Sequence, residues 1–190
     1  MPDASSAQIR DLRESDTDAL LALWNRSAPY DPLTPVLLRE KVWAEPHPGP
    51  RLVATSASGE PWGFAMGAMW GPPNETRGTV KMIVVAPEWR REGTGGALLV
   101  RIEAGLVEMG AETIRIAECS PNYLVPGIDL RYTPGWLFVQ KHGYETVGEA
   151  VNMHVDLAAE DWDTSAKEHQ LSAKGVEVRR ATEADRVGVM

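Results

Sequence analysis

Cysteine is almost missing from this chain: Cys119 is the only one in 190 residues. A single thiol closes no internal disulfide and builds no thiolate metal cluster, which fits a reducing compartment. No apolar run reaches the ~18 residues that a membrane span needs. Residues 1–8 lack the basic stretch followed by an apolar one that marks a secretory signal. Basic residues are in deficit, with 19 Lys and Arg against 27 Asp and Glu and a net charge of −8. That balance argues against nucleic acid as a partner and is compatible with a cationic amine. The expected location is the cytoplasm. What is present is ordinary for a folded protein: 43% hydrophobic and 24% charged residues. The length suffices for one domain with a real core, or one domain plus a tail.

The most informative stretch is 84–99, VVAPEWRREGTGGALL. A β-branched strand runs into a proline turn, a glycine-rich loop and an apolar helix. This order makes an anion site. Glycine lets the backbone turn tightly and approach a ligand. The first amides of a helix have no intrahelical acceptor, and the helix dipole adds positive charge there. Two known phosphate loops are excluded by spacing. A P-loop requires lysine directly after its glycines, and none follows here. The dinucleotide fingerprint requires a third glycine where Leu98 stands. A nucleotide site of another type remains the weakest of the functional alternatives.

Along the chain, residues 9–13 read as a strand. Ser15 and Asp18 suggest a capping box for a helix carrying Leu20, Leu21, Leu23 and Trp24. Pro32 and Pro35 lead into a second helix with Val36, Leu37, Val42 and Trp43. Strands are expected at 51–55, 62–70 and 78–85. The long helix carries Leu98, Leu99, Ile102, Leu106 and Met109, with Gly110 as its C-cap. A strand at 113–117, a long loop, a helix over 135–142 and strands at 144–147 and 151–157 complete the order.

Val85, Pro87, Arg90, Gly93 and Gly95 form a Val-x-Pro turn followed by Arg-x-x-Gly-x-Gly. This resembles the acetyl-CoA signature of the GNAT superfamily of N-acetyltransferases, and the element order over residues 8–157 is similar to that fold. The resemblance implies an α/β (α+β) fold with a mixed, mostly antiparallel sheet of about seven strands and a splayed parallel pair at strands 4 and 5. It implies acetyl-CoA as cofactor. The cofactor would be held by Arg90, Arg91, Glu92, Gly93, Thr94, Gly95 and Gly96, with the backbone of Ile83, Val84 and Val85 on the thioester side. Asn122 and Phe138 would be further contacts.

The second family motif is defective. Residues 138–144, FVQKHGY, place Val139 where a tyrosine usually acts as general acid. Tyr132 is the substitute candidate and Tyr123 a weaker one. The strand before the glycine loop reads TVKMI over 79–83, without the common glutamate. Glu118 is the candidate base, with a salt bridge as its alternative role. His47, His142 and His154 read as structural. Trp62, Trp70 and Trp136 are candidates for lining the acceptor pocket. An amine arriving neutral needs no strong base, because orientation and amide contacts to the thioester carbonyl supply much of the catalysis.

Residues 121–129 resemble a subset of the family that occurs as tandem repeats. Residues 158–175 read as a polar linker with at most one helical turn. Residues 176–190 then repeat the opening: Ile9 aligns with Val176, Arg13 with Arg180, Ser15 with Thr182 and Asp18 with Asp185, without a gap. The expected organisation is one GNAT domain over 1–157, a linker over 158–175, and the start of a second, truncated repeat or a swapped strand–helix tail over 176–190. The expected function is acetyl transfer to a small-molecule or peptide amine; the alternative is a catalytically silent acyl-CoA-binding half of a tandem protein. The expected protein partner is a homodimer mate or a second GNAT unit in a longer chain, with neither nucleic acid, membrane nor metal.

Overall fold

A computed structural model describes residues 8–71, 76–151, 153–159 and 161–185. The chain divides into two units, Met1–Ala150 and Val151–Met190. In the first unit the strands are β1 (Gln8–Asp11), β2 (Pro48–Thr55), β3 (Pro61–Trp70), β4 (Arg77–Val85) and β5 (Thr113–Ile116). The helices are α1 (Thr17–Ser27), α2 (Pro35–Leu38), α3 (Thr94–Glu108) and α4 (Thr133–Lys141). A fifth helix, α5 (Ser165–Ser172), lies in the second unit.

The sheet has five strands in the order β1-β2-β3-β4-β5. Neighbours are antiparallel except β4 and β5, which run parallel. The expected splayed pair is present: β5 meets β4 only over Arg77–Val80, and Ala117 N closes the ladder on Val80 O at 3.0 Å. Ala117 then takes φ 68, a left-handed conformation that costs a non-glycine residue about 1–2 kcal/mol. The chain turns away from β4 there. Lys81 is the extra residue of a β-bulge against β3, between the pairs Gly67–Val80 and Met66–Met82. Eight successive residues of β3 are buried, as a strand covered on both faces must be. Helix α1 packs against β3 and β4, and α3 lies across β2, β3 and β4. Phe64, Met66, Leu98, Leu99 and Ile102 form the centre of the core.

Three expectations need correction. Among the described residues the sheet has five strands, not seven, because 144–147 and the described part of 151–157 form no ladder. Their alternating apolar pattern is real, but Val147, Val151 and Met153 stand 75%, 81% and 94% exposed. Such a pattern makes a strand only where a neighbour supplies the other half of each hydrogen bond. The first helix is also opened differently. Ser15 lies inside a 3₁₀ turn, Glu14–Asp16, and α1 starts at Thr17. The carboxylate of Asp16, not that of Asp18, accepts from Arg13 N at 2.8 Å. The linker, finally, contains the eight-residue α5 rather than a single turn.

Candidate active site

The glycine loop turns tightly into the start of α3. Gly93 is the N-cap residue of α3 at φ 84, and Arg91 takes φ 73. A Cβ on Gly93 would meet nothing within 4 Å, so the space in front of the loop is open. The amides of Arg91, Glu92 and Gly93 meet no acceptor among the described residues. Those of Thr94, Gly95 and Gly96 open the helix, where no intrahelical acceptor exists. Six consecutive amides, those of residues 91–96, therefore have no protein acceptor among the described residues at the positive end of a helix of 15 residues. Arg90 is committed to the loop's own shape: its Nε donates to Val85 O at 3.0 Å and its Nη2 to Ser27 O at 3.3 Å. The side chains of Arg91 and Glu92 are exposed at the rim, whereas Thr94 is buried.

Helix α4 closes one side of this cradle. A Cβ on Gly95 would lie 3.3 Å from Phe138 and 3.8 Å from Val85. A Cβ on Gly96 would lie 3.2 Å from His142 Nε2. The His142 ring is paired with Phe138, centroid to centroid at 4.3 Å, and its Nδ1 meets Phe138 O at 2.8 Å. His142 thus stands at the cradle rim, a position that its helix-end location did not suggest. Beyond Val80, the stretch containing Ile83, Val84 and Val85 has β3 as its only strand neighbour among the described residues.

At the splay point the structure assembles a buried polar cluster that the sequence did not reveal. After α2 the chain forms a wide π-type turn, Arg39–Trp43, with Ala44 N donating to Arg39 O at 2.9 Å. Such turns are rare and concentrate at functional sites. This one brings Lys41 O and the Glu45 carboxylate onto the bulge residue Lys81. Lys81 Nζ donates to Lys41 O at 2.9 Å and forms an ion pair with Glu45 Oε2, with both side chains almost wholly buried. Asn122 Nδ2 donates to the same Glu45 oxygen at 3.1 Å, and Asn122 Oδ1 accepts from Lys41 Nζ at 2.7 Å. Cys119 Sγ lies 3.9 Å from Glu45 Oε2, and burial pushes its thiol up to about 11. The cluster joins the α2 turn, the β4 bulge and the loop after β5, three elements that border the splay. Lys81 was visible as the residue in the glutamate's usual strand; Glu45, in an irregular segment, carried no signal.

The other candidates fall in different places. Glu118 is held by Arg115 at 2.8 Å and Arg77 at 3.7 Å, the salt-bridge role given as its alternative. Tyr132 sits at the start of α4, where its hydroxyl accepts from Tyr30 N at 2.8 Å. Burial, with the Asp31 carboxylate nearby, pushes Tyr132 up to about 12, so it keeps its proton at neutral pH. Arg131 stacks on the Tyr30 ring at 4.0 Å, and the two tyrosine rings lie 5.1 Å apart. This ties the α1–α2 loop to the segment before α4. Tyr123 is exposed. Tyr144 donates to Glu103 at 2.6 Å, and burial raises its pKa. Trp62 is buried and stacked on Trp89 at 4.5 Å, while Trp70 carries the Arg77 guanidinium at 4.9 Å. Trp136 is half-buried on α4. Among the described residues no group of histidine, cysteine or acidic side chains is arranged to hold a metal. No helix there is long and apolar enough to cross a membrane.

Comparison with known proteins gives this arrangement its context. The profile of the acetyltransferase (GNAT) family matches residues 9–129. The chain is similar, at 22% identity and a TM-score of 0.68, to a glucosamine N-acetyltransferase region in a fungal multi-domain GH3 β-N-acetylglucosaminidase. That match covers 74% of this chain, which spans only 17% of the length of that enzyme. Aminoglycoside 6'-N-acetyltransferase AAC(6')-Ih from Acinetobacter baumannii is 16% identical with a TM-score of 0.59, over 80% of this chain and 99% of that one. AAC(6')-Iy, in complex with the bisubstrate analogue CoA-S-monomethyl-acetylneamine, is 17% identical with a TM-score of 0.58, over 79% and 98%. A shared fold, with the profile match over most of the first unit, settles the kinship: the chain belongs to the acetyltransferase (GNAT) family.

Proposed function

We propose that this chain transfers an acetyl group from acetyl-CoA directly to a primary amine on a small molecule or peptide. The observation that carries this reading is the run of amides of residues 91–96, without a protein acceptor among the described residues, at the start of α3. Such a run suits a pyrophosphate: the donors are unpaired, the helix dipole is favourable, and no described protein acceptor competes. Acetyl-CoA, when bound, supplies an activated thioester acyl group. The chain's own residues bind and orient. Gly93 and Arg91 shape the cradle, Gly95 keeps it shallow against Phe138, and the backbone at 83–85 lines the splay beyond Val80. Tyr132 is the proton donor in this reading, since its hydroxyl stays protonated at working pH. The Glu118 carboxylate is engaged by two arginines, so in this reading the amine enters neutral or gives its proton to water. Glucosamine and aminoglycosides, named for similar structures, make amino sugars the first acceptors to assay.

A second reading is a CoA-binding unit without turnover. It is favoured by Val139 in the usual tyrosine position and by the paired Glu118. Two measurements separate the readings. Thermal shift with CoA, acetyl-CoA, ATP and NAD tests the cradle. Ligand at 100 times its Kd adds about 2.7 kcal/mol, or roughly 5–10 °C for a domain of this size. Gly95→Val removes the shift, and its unliganded Tm reports any folding defect separately. Thiol release over a panel of amino sugars, polyamines, amino acids and peptides then tests turnover. A shift with ATP or NAD but none with CoA overturns the proposal.

A further inference from the structure

Two distant segments of this chain make the same structure, atom for atom. Near the start, Arg10 Nη1 and Nη2 donate to Asp16 Oδ2 and Oδ1 at 2.8 and 2.9 Å. Arg10 Nη1 also donates to Asp11 O, Arg13 N donates to Asp16 Oδ2, and Asp16 N closes a 3₁₀ turn on Arg13 O. In the second unit, Arg179 Nη1 and Nη2 donate to Asp185 Oδ2 and Oδ1, both at 2.7 Å. Arg179 Nη1 donates to Arg180 O, Thr182 N to Asp185 Oδ2, and Asp185 N to Thr182 O. All five bonds recur at one offset, which pairs Ile9 with Val178, Glu14 with Glu183 and Asp16 with Asp185. The 3₁₀ turns Glu14–Asp16 and Glu183–Asp185 coincide in it. This register lies two residues beyond the one that the sequence alone suggested.

The two segments differ in what covers them. In the first, β1 is laddered to β2 and Ile9 packs on the core. In the second, residues 176–181 pair with no strand among those described, and Val176 and Val178 are exposed. The piece does not hold itself. Ordering eight residues costs conformational entropy at every residue, far more than a single exposed ion pair returns. At the start of the chain this deficit is met by β2 and the core beneath it. A segment built to the same plan needs the same surroundings.

We propose that residues 178–185 are the opening strand and turn of a second unit of this fold. The surface they fit is then an antiparallel β2-type strand of that unit, with an apolar layer under Val178. The charge pair is the local clip, and the strand edge and Val178 are the docking groups.

Two experiments test this. In the first, residues 9–16 of the chain are replaced by the sequence of 178–185. The replacement includes one full truncation in the core, Leu12→Ala, so Leu12→Ala alone is the reference. The expected result is a folded chimera with Tm within about 5 °C of that reference, lowered by Arg10→Ala as much as the native sequence is. A chimera that stays unfolded while Leu12→Ala folds overturns the equivalence. In the second, the full natural polypeptide is subjected to limited proteolysis with mass spectrometry. The expected result is cleavage within 158–175 and a protected fragment beginning near 176, whose protection is lost in Arg179→Ala. Complete digestion of everything after about 175 overturns the proposal. So does a dimer, seen by light scattering, that Arg179→Ala dissociates, because the segment would then belong to a swapped copy.

Discussion

Removing one partner of the Lys81–Glu45 pair is the sharpest test of the cluster at the splay. Both side chains are almost fully out of water, at 0% and 2% exposure. Glu45→Leu leaves a buried ammonium with only Lys41 O as a protein acceptor. Lys81→Met leaves a buried carboxylate holding His47 N and Asn122 Nδ2. An orphaned buried charge costs about 3–5 kcal/mol. At roughly 2–4 °C per kcal/mol, each single variant should lose on the order of 6–20 °C in Tm. The double variant removes both charges, and apolar replacement of a buried pair is often neutral or stabilising. Asn122 Nδ2 retains Glu40 O at 3.2 Å, so little is newly orphaned there. The double variant should therefore be more stable than either single, with an interaction energy of at least ~2 kcal/mol in the cycle. Urea unfolding followed by tryptophan fluorescence measures all four members, and constant m-values show that the unfolded state is comparable. Single losses below about 1 kcal/mol, or a double loss equal to the sum of the singles, would refute the assignment of a coupled, desolvated pair.

Further outcomes follow from named groups. Arg10, chiefly through its hydrogen bonds, holds the Asp16 carboxyl below its ordinary pKa, so this stability is present above the usual aspartate range and is lost as pH falls through the folded value. Asp16→Asn should flatten the acid limb of a stability–pH curve; an unchanged limb counts against the pair. Cys119 has the opposite sign. Its thiol is favoured in the folded state, and that contribution is complete below pH 9 and disappears as pH rises through about 11. Cys119→Ala should shallow the alkaline slope, to which the raised Tyr132 and Tyr144 also contribute, with thiolate absorbance in the ultraviolet tracking the Cys119 transition. Tyr132→Phe should lower kcat by about 10²–10⁴ with KM little changed. An equal kcat, with only the roughly 0.5–1.5 kcal/mol of one lost hydrogen bond, would confine Tyr132 to its contact with Tyr30.

The glycine turn and its unpartnered amides were legible because local chemistry makes them. Val-x-Pro ends a strand, Gly93 takes a positive φ, and the amides that follow are open by the geometry of any helix start. Element order was legible for the same reason: periodicity is written in neighbouring residues, and β2 to β5 and α3 stand within a few residues of where their patterns put them. The register of the repeated opening was not legible, because Asp16 and Asp18 are equivalent as letters and only the folded turn selects Asp16. Nor were the missing last strands, whose alternation says that a residue will face apolar cover but not whether a partner strand arrives. The fate of Tyr132 was likewise decided by Tyr30, and that of Glu118 in part by Arg77, residues distant in the chain. The sequence alone therefore determined the glycine turn at the start of α3 and the family, since both depend on contiguous residues. Only tertiary structure decided which charges are buried together, because Lys81 and Glu45 meet through a π-type turn and a strand bulge that no local pattern encodes.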